Sequence, residues 1–180
     1  MIRVDTIDAE VELKEICDFL KKYSIKYWLS SGTLLGIYRD NAFLKDDTDI
    51  DISIMGEDKE TLLSYLPREY NVEIVREYDG VVSKIVVNSS RDVWIDFTLY
   101  YEYGDELVSR YSGGTWVLPK DRFKKLESIK FKGRKFACPN PEWYLERRFK
   151  DWKTPIHKGD KEWGYFAKND FLRGKYYANL

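Results

Sequence analysis

The sequence predicts an α+β (α/β) domain, with one mixed β-sheet flanked by helices in a single compact unit. Three observations predict it. Helical and strand patterns alternate in the first third of the chain. Strand patterns divided by turn signals dominate the middle, and a capped helix follows. The 180 residues suit one domain with a full-sized core. A hydrophobic fraction of 43% beside a charged fraction of 34% is a globular composition and excludes a disordered chain.

Each element has a local reason. Asp8 to Tyr23 reads as a helix, because Leu13, Ile16, Cys17 and Leu20 form an apolar stripe and Asp8 or Thr6 can cap it. Lys26 to Ser30 is a short strand. Gly32 to Asp40 reads as a small-residue turn opening a short helix. Thr48 to Met55 alternates strictly, as a half-buried strand does. Asp58 to Pro67 is a second surface helix, stopped by Pro67.

A β-rich stretch follows. Tyr70 to Tyr78 and Val81 to Asn88 flank Asp79-Gly80, a strong hairpin signal. Asp92 to Tyr103 is a further strand, turning at Gly104-Asp105. Glu127 to Pro139 is a hairpin around Lys132-Gly133. Asn140 to Trp152 is a helix with Asn140 as N-cap and Pro141 at its first position, which opens a C-terminal helical segment from about residue 140. The last 25 residues are polar and aromatic and carry no clear period. No repeat, linker or internal boundary interrupts residues 1–180, so one domain is expected.

Charge and composition exclude several functions. The net charge is −1, from 30 basic and 31 acidic residues, so no global charge draws the chain to nucleic acid or to a membrane surface. Cys17 and Cys138 are the two cysteines, which make neither a zinc site nor a disulfide framework. Cys17 falls on the helical stripe as a small buried hydrophobe. The N-terminal stretch is too acidic for a signal peptide, and no apolar run is long enough to span a membrane, so a cytoplasmic protein is the expectation. The aromatic fraction of 16% is assigned to the core and to half-exposed rings. His157 is the single histidine, and its place in a polar region beside Pro155 and Lys158 favours the surface.

The candidate chemistry lies in the alternating strand. Residues i and i+2 share a face about 6.6 Å apart, so Asp49 and Asp51 point together, with Asp47 if the strand begins that early. Ile50, Ile52 and Ile54 point into a core and fix the register, because a one-residue slip would bury the aspartates. Two carboxylates ~4 Å apart repel by about 4 kcal/mol at an effective dielectric near 20. Either this face is fully wet or a cation sits between the carboxylates. Oxygen ligands at this spacing suit Mg²⁺ or Mn²⁺.

Two features favour the cation. Ser31, Gly32 and Thr33 lie between a strand and a helix, where backbone amides and hydroxyls attract phosphate. Arg39 on the same helix can pair with that anion. The second feature is Asp96, an isolated acid among apolar strand residues. Should its strand lie beside the first acidic strand, Asp96 joins Asp49 and Asp51 as a third metal ligand and catalytic carboxylate. Such a triad can hold two cations and activate a hydroxyl.

Small loop, short helix, Asp-x-Asp strand and later strand Asp together resemble the nucleotidyltransferase-fold superfamily. Within it, Ser31-Gly32-Thr33-Leu34-Leu35-Gly36, Arg39, Asp47 and Asp49-Ile50-Asp51-Ile52 look like the LicD family, which includes the fukutin-related transferases. A second block, Tyr144 to Pro155, resembles that family's ending, which opens on Tyr-Leu-Glu and closes on Trp and Pro. Departures occur at Lys45-Asp46, Thr48 and Phe149-Lys150, none of which removes Asp49 or Asp51. The resemblance covers about Tyr23 to Pro155.

This resemblance implies a nucleotidyltransferase-like fold and transfer of a phosphorylated alcohol, such as phosphocholine or ribitol phosphate. The donor is CDP-linked and the acceptor a glycan or glycolipid hydroxyl. Asp49 and Asp51 then hold Mg²⁺ or Mn²⁺. Ser31, Gly32, Thr33 and Arg39 meet the donor phosphates. Asp96 completes the metal site and takes the acceptor's proton. Trp152 and Asp151 order the C-terminal motif. No nucleic-acid partner is expected, and peripheral association with a membrane-bound acceptor is compatible with this reading. Two alternatives stay open: a nucleotidyltransferase that attaches a nucleoside monophosphate to a small molecule, and a glycan-binding module with a structural cation.

Overall fold

The computed structural model describes residues 6–45, 47–112, 114–149, 151–155 and 171–173. Its first half runs α1 (Thr6–Lys22), β1 (Tyr27–Leu29), α2 (Ser31–Asp40), β2 (Asp49–Met55), α3 (Lys59–Tyr65), β3 (Asn71–Tyr78) and β4 (Val81–Asn88). There follow β5 (Trp94–Tyr103), β6 (Glu106–Tyr111), β7 (Gly114–Pro119), β8 (Glu127–Phe131), β9 (Arg134–Cys138), α4 (Pro141–Arg148) and β10 (Phe171–Arg173). The mixed sheet flanked by helices is the expected class.

Strand β5 is the spine of the sheet. It runs parallel to β2 on one side and antiparallel to β4 on the other. Its far end continues into an antiparallel run with β6, then β7 and β10. Beyond β2 lies β1, and beyond β4 lies β3, both antiparallel to their neighbours. Strands β8 and β9 form a separate hairpin.

The register follows from burial. Ile50, Ile52 and Ile54 of β2 are fully buried, as are Ile95, Phe97 and Leu99 of β5. They share one core with Leu13, Ile16, Cys17 and Leu20, the stripe on α1. Burial raises the Cys17 thiol to about 12, so it stays an uncharged apolar group.

The three expected turns form. Asp79-Gly80 and Lys132-Gly133 both have positive φ at their two central residues, as a primed hairpin turn requires. Asn140 caps α4, its side-chain oxygen accepting the Trp143 N–H at 3.0 Å.

Some boundaries differ from expectation. Helix α1 starts at Thr6, so Asp8 lies in the first turn, where a negative charge suits the helix dipole, and does not cap it. Helix α4 stops at Arg148, four residues before Trp152, because Phe149 turns to extended backbone at φ −127°. Strands β6 and β7 escaped the sequence pattern. Ser109, Arg110 and Thr115 sit among their apolar residues without alternating and are buried as well, so no polar face marks the period. His157 and most of the last 25 residues lie outside the described residues.

Gly36 governs how α2 returns to β2. A Cβ there would stand 2.6 Å from the Ala42 carbonyl oxygen and 2.9 Å from the Leu44 nitrogen. The chain leaves α2 through Asn41 in the left-handed region, and Ala42 N–H donates to the Gly36 carbonyl at 3.3 Å. No described helix is long and apolar enough to cross a membrane.

Ile52 links the core to the acidic face, since it is fully buried one residue from Asp51. Ile52→Ala is expected to cost about 2–4 kcal/mol of stability. Denaturant unfolding checks this, and a loss below about 1 kcal/mol would mean that the isoleucine face does not anchor β2.

Candidate active site

The parallel pairing of β2 with β5 sets Asp49 level with Trp94 and Asp51 level with Asp96. All three acids face away from the isoleucine core. One carboxylate oxygen from each of Asp49, Asp51 and Asp96 lies within 4.8 Å of the others. Asp49 and Asp51 are half-buried and Asp96 is buried. Hard, clustered, partly desolvated oxygens are a donor set that can hold a metal ion.

The loop at the start of α2 clamps this cluster from one side. The Gly32 N–H donates to Asp51 Oδ2 at 2.9 Å, and the Asp51 N–H donates to Thr33 Oγ1 at 2.8 Å. The Ser30 N–H donates to the Asp51 carbonyl at 3.3 Å. A Cβ on Gly32 would run into the Asp47 carboxylate and stand 3.2 Å from Asp51 Oδ2. Only glycine permits that approach. Asp47 itself precedes the strand, which begins at Asp49, yet the loop folds its carboxylate onto the cluster.

The charges are felt. Burial first, then the Asp49, Asp47 and Asp96 charges, push the Asp51 carboxyl well above the usual carboxylate range. The Asp96 carboxyl is pushed up to about 6, by burial first and then by Asp49, while Lys84 pulls the other way. Lys84 comes from β4, and its ammonium pairs with Asp96 Oδ2. Burial is the largest single influence on that ammonium and disfavours it, but the charge and hydrogen bond of Asp96, with Tyr111 and Asp51, together keep its pKa raised.

A second wall comes from α4. Tyr144 and Arg148 are one turn apart and share a helix face. The Tyr144 hydroxyl accepts from the Ser31 N–H at 3.4 Å. The Arg148 guanidinium donates to Ser31 Oγ at 3.3 Å and stacks 3.8 Å from the Trp116 ring centroid. Ser31 holds φ at 43°, in the left-handed region that costs a serine energy.

Among the expected residues, Asp49, Asp51, Asp96, Gly32 and Thr33 converge directly, and Ser31 stands beside them. Arg39 is placed elsewhere. Its guanidinium is held by Asp40 at 2.7 and 2.8 Å and donates to the Trp152 carbonyl at 3.2 Å. It lies eight residues down α2 from Ser31, about 12 Å along the axis. Tyr38 packs on Trp152 with ring centroids 5.6 Å apart, and Asp151 accepts from the Thr154 N–H, so both residues do order the C-terminal motif.

Lys84, Arg148 and Trp116 are site residues that the sequence does not single out, and Tyr144 is marked there only as the opening of the second block. Lys84 carried a usable signal, as the one charged residue in a strand of eight. Arg148 had none, because its place above Ser31 depends on how α4 docks.

Solved structures share this fold. A lincomycin-bound lincosamide antibiotic adenylyltransferase matches with a TM-score of 0.58 at 21% identity, over 76% of this chain and 84% of that one. A putative nucleotidyltransferase from Thermotoga maritima matches with a TM-score of 0.54 at 18% identity, over 81% and 84%. The sheet, its helices and the carboxylate cluster thus define a nucleotidyltransferase-like fold.

The sequence places the chain more narrowly. Residues 24–141 match the family described as LicD/FKTN/FKRP, nucleotidyltransferase domain, and the chain belongs to that family. An uncharacterized protein of Rickettsia prowazekii is 41% identical over 150 residues, which are 78% of this chain and 53% of that protein. Mouse ribitol-5-phosphate transferase FKTN is 27% identical over 175 residues, 87% of this chain and 37% of that protein. The chain therefore spans about half or less of these relatives' length.

A raised carboxyl pKa means that the folded state binds protons more tightly than the unfolded one. For Asp51 this stabilises the metal-free protein at low pH, and the benefit is lost as pH rises above the ordinary value of 3.8. Asp51→Asn removes the penalty. It is expected to raise the metal-free Tm at pH 8 by about 3 °C or more, with the gain shrinking toward pH 4. Added Mn²⁺ should stabilise the wild type and leave Asp51→Asn unmoved. Thermal melts across pH check this, and a gain independent of pH would overturn it.

Proposed function

We propose that this chain is the transferase domain of an enzyme that moves a phosphorylated alcohol from a CDP-linked donor to a glycan hydroxyl. The observation that carries the reading is the convergence of Asp49, Asp51 and Asp96 within a domain of the LicD/FKTN/FKRP family. The activity of the mouse relative, ribitol-5-phosphate transfer, supports ribitol phosphate as one cargo. Phosphocholine, implied by the LicD resemblance, is another phosphorylated alcohol.

Asp49, Asp51 and Asp96 would hold Mg²⁺ or Mn²⁺. The bound ion would neutralise charge on the donor diphosphate as the phosphoanhydride breaks. Ser31 and Arg148 take the phosphate oxygens, with the planar guanidinium already oriented by Trp116. Gly32 and Thr33 act through Asp51, fixing the position of its carboxylate. Arg39 acts at a distance from the phosphates, tying the C-terminal motif to α2. Asp96 accepts the acceptor's proton, as the carboxylate of the cluster set on β5. Trp94 is 37% exposed and stands level with Asp49, where it offers a face for the donor's base.

Calorimetric titration with CDP, CDP-choline, CDP-ribitol and ATP tests the reading, with and without Mg²⁺. Cytidine nucleotides should bind in preference to ATP, and binding should need the metal. Asp49→Ala and Asp51→Ala should each lower transfer by about 100-fold or more. Arg148→Gln should raise the donor KM about tenfold with a smaller change in kcat. A preference for ATP, with a nucleotidylated product by mass, would overturn the proposal in favour of a nucleotidyltransferase. Glycan binding unchanged in Asp49→Ala, with no nucleotide affinity, would leave a binding module.

A further inference from the structure

We propose that the Lys84 ammonium is a resident cation of the acidic cluster and takes the place of a second metal ion, so that the site admits one divalent ion per chain. This rests on reading Asp49, Asp51 and Asp96 as a metal site.

The placement is specific. Lys84 stands opposite Thr98 on β5, which puts it diagonal to Asp96 on the same face of the sheet. Strand β4 is otherwise apolar or small, and its other seven residues are buried. A lysine in such a strand loses hydration that its partner must replace. The partner here is a prospective metal ligand, Asp96. The ammonium also feels Asp51, so it belongs to the cluster and not to one acid alone.

The charge balance agrees. Four carboxylates meet here, since Asp49, Asp51 and Asp96 have oxygens within 4.8 Å of one another and Asp47 stands with Asp51 against Gly32. Lys84 faces them beside Asp96. It already supplies, at that carboxylate, positive charge that a second ion would otherwise bring. A second ion would have to share these carboxylates at about 3.5–4 Å from the first. The ammonium already occupies an oxygen of the carboxylate that it would share. An ammonium supplies charge and three N–H donors but no Lewis acidity. Lys84 is thus a positioning residue that holds Asp96 and offsets charge, leaving polarisation to the single ion.

Counting Mn²⁺ by electron paramagnetic resonance tests this, first with Mn²⁺ alone and then with CDP added. The wild type should bind one ion, with no exchange coupling between ions in either condition. Lys84→Met should admit a second Mn²⁺ exchange-coupled to the first, and should bind the first about tenfold more tightly or better. Lys84→Arg, which keeps the charge, should still bind one. Lys84→Gln serves in place of Lys84→Met if that variant does not fold, and the wild-type count decides even without variants. A coupled pair in the wild type would overturn the inference and leave the metal site intact. So would a single ion at unchanged affinity in Lys84→Met. Absence of any ion sensitive to Asp51→Asn would overturn the inference and the metal reading together.

Discussion

A parallel pairing of β2 with β5, with Asp51 level with Asp96, forces carboxylates together in a small, partly dry space. Like charges ~4 Å apart repel by about 4 kcal/mol at an effective dielectric near 20. The register holds because the opposite faces of the same strands are buried. Ile50, Ile52, Ile54, Ile95, Phe97 and Leu99 are all fully buried. Each such side chain contributes about 1.5–3 kcal/mol relative to exposure, so the apolar face outweighs the repulsion on the acidic one. A slip of one residue would exchange the two faces and lose both terms at once. The hydrogen bond from the Gly32 N–H to Asp51, and the ion pair of Lys84 with Asp96, then settle these two carboxylates individually.

The two sequence blocks that mark the family are far apart in the chain and adjacent in space. Tyr144 and Arg148 reach Ser31, while Arg39 and Tyr38 reach Trp152. Both ends of α2 are therefore tied to the segment that follows the hairpin of β8 and β9. Strain at Ser31 is held in place by this double attachment, since a serine at φ 43° would otherwise relax. A change at Trp152 can thus reach the acidic cluster through α2 without touching a carboxylate.

Much of this was legible in the sequence where one residue's environment follows from its neighbours. The isoleucine alternation of β2 fixed which way Asp49 and Asp51 point. The isolation of Asp96 among Val93, Ile95 and Phe97 marked its face, and the pairing that makes it a partner of Asp51 was conditional on topology. The glycine-containing turns declared themselves because few other residues adopt their backbone. What stayed hidden depends on docking between distant segments. Arg148 lies in a helix whose own pattern says nothing of Ser31. Arg39 looked like an anion ligand because α2 begins at the site, but a helix rises about 1.5 Å per residue and carried it out of reach. Strands β6 and β7 were obscured because their polar residues are buried along with their apolar ones.

Chemistry and specificity separate in this construction. A cation held by carboxylates neutralises whichever phosphate oxygens reach it, and a phosphoanhydride offers two phosphorus atoms. Attack at one keeps the nucleotide on the product; attack at the other releases it. One fold is shared by a lincosamide antibiotic adenylyltransferase and by this chain of the LicD/FKTN/FKRP family, so the fold alone does not set which phosphorus is attacked. The direction must come from groups that tell the two halves of the donor apart. Along this site those groups differ sharply. Trp94, beside Asp49, presents an exposed aromatic face, whereas Arg148 presents a planar cation wedged between Trp116 and Ser31. On the function proposed above, a donor with its base on the one and a phosphate on the other would be oriented before any bond breaks. Orientation would then be the work of these flanks, and charge neutralisation the work of the aspartates between them.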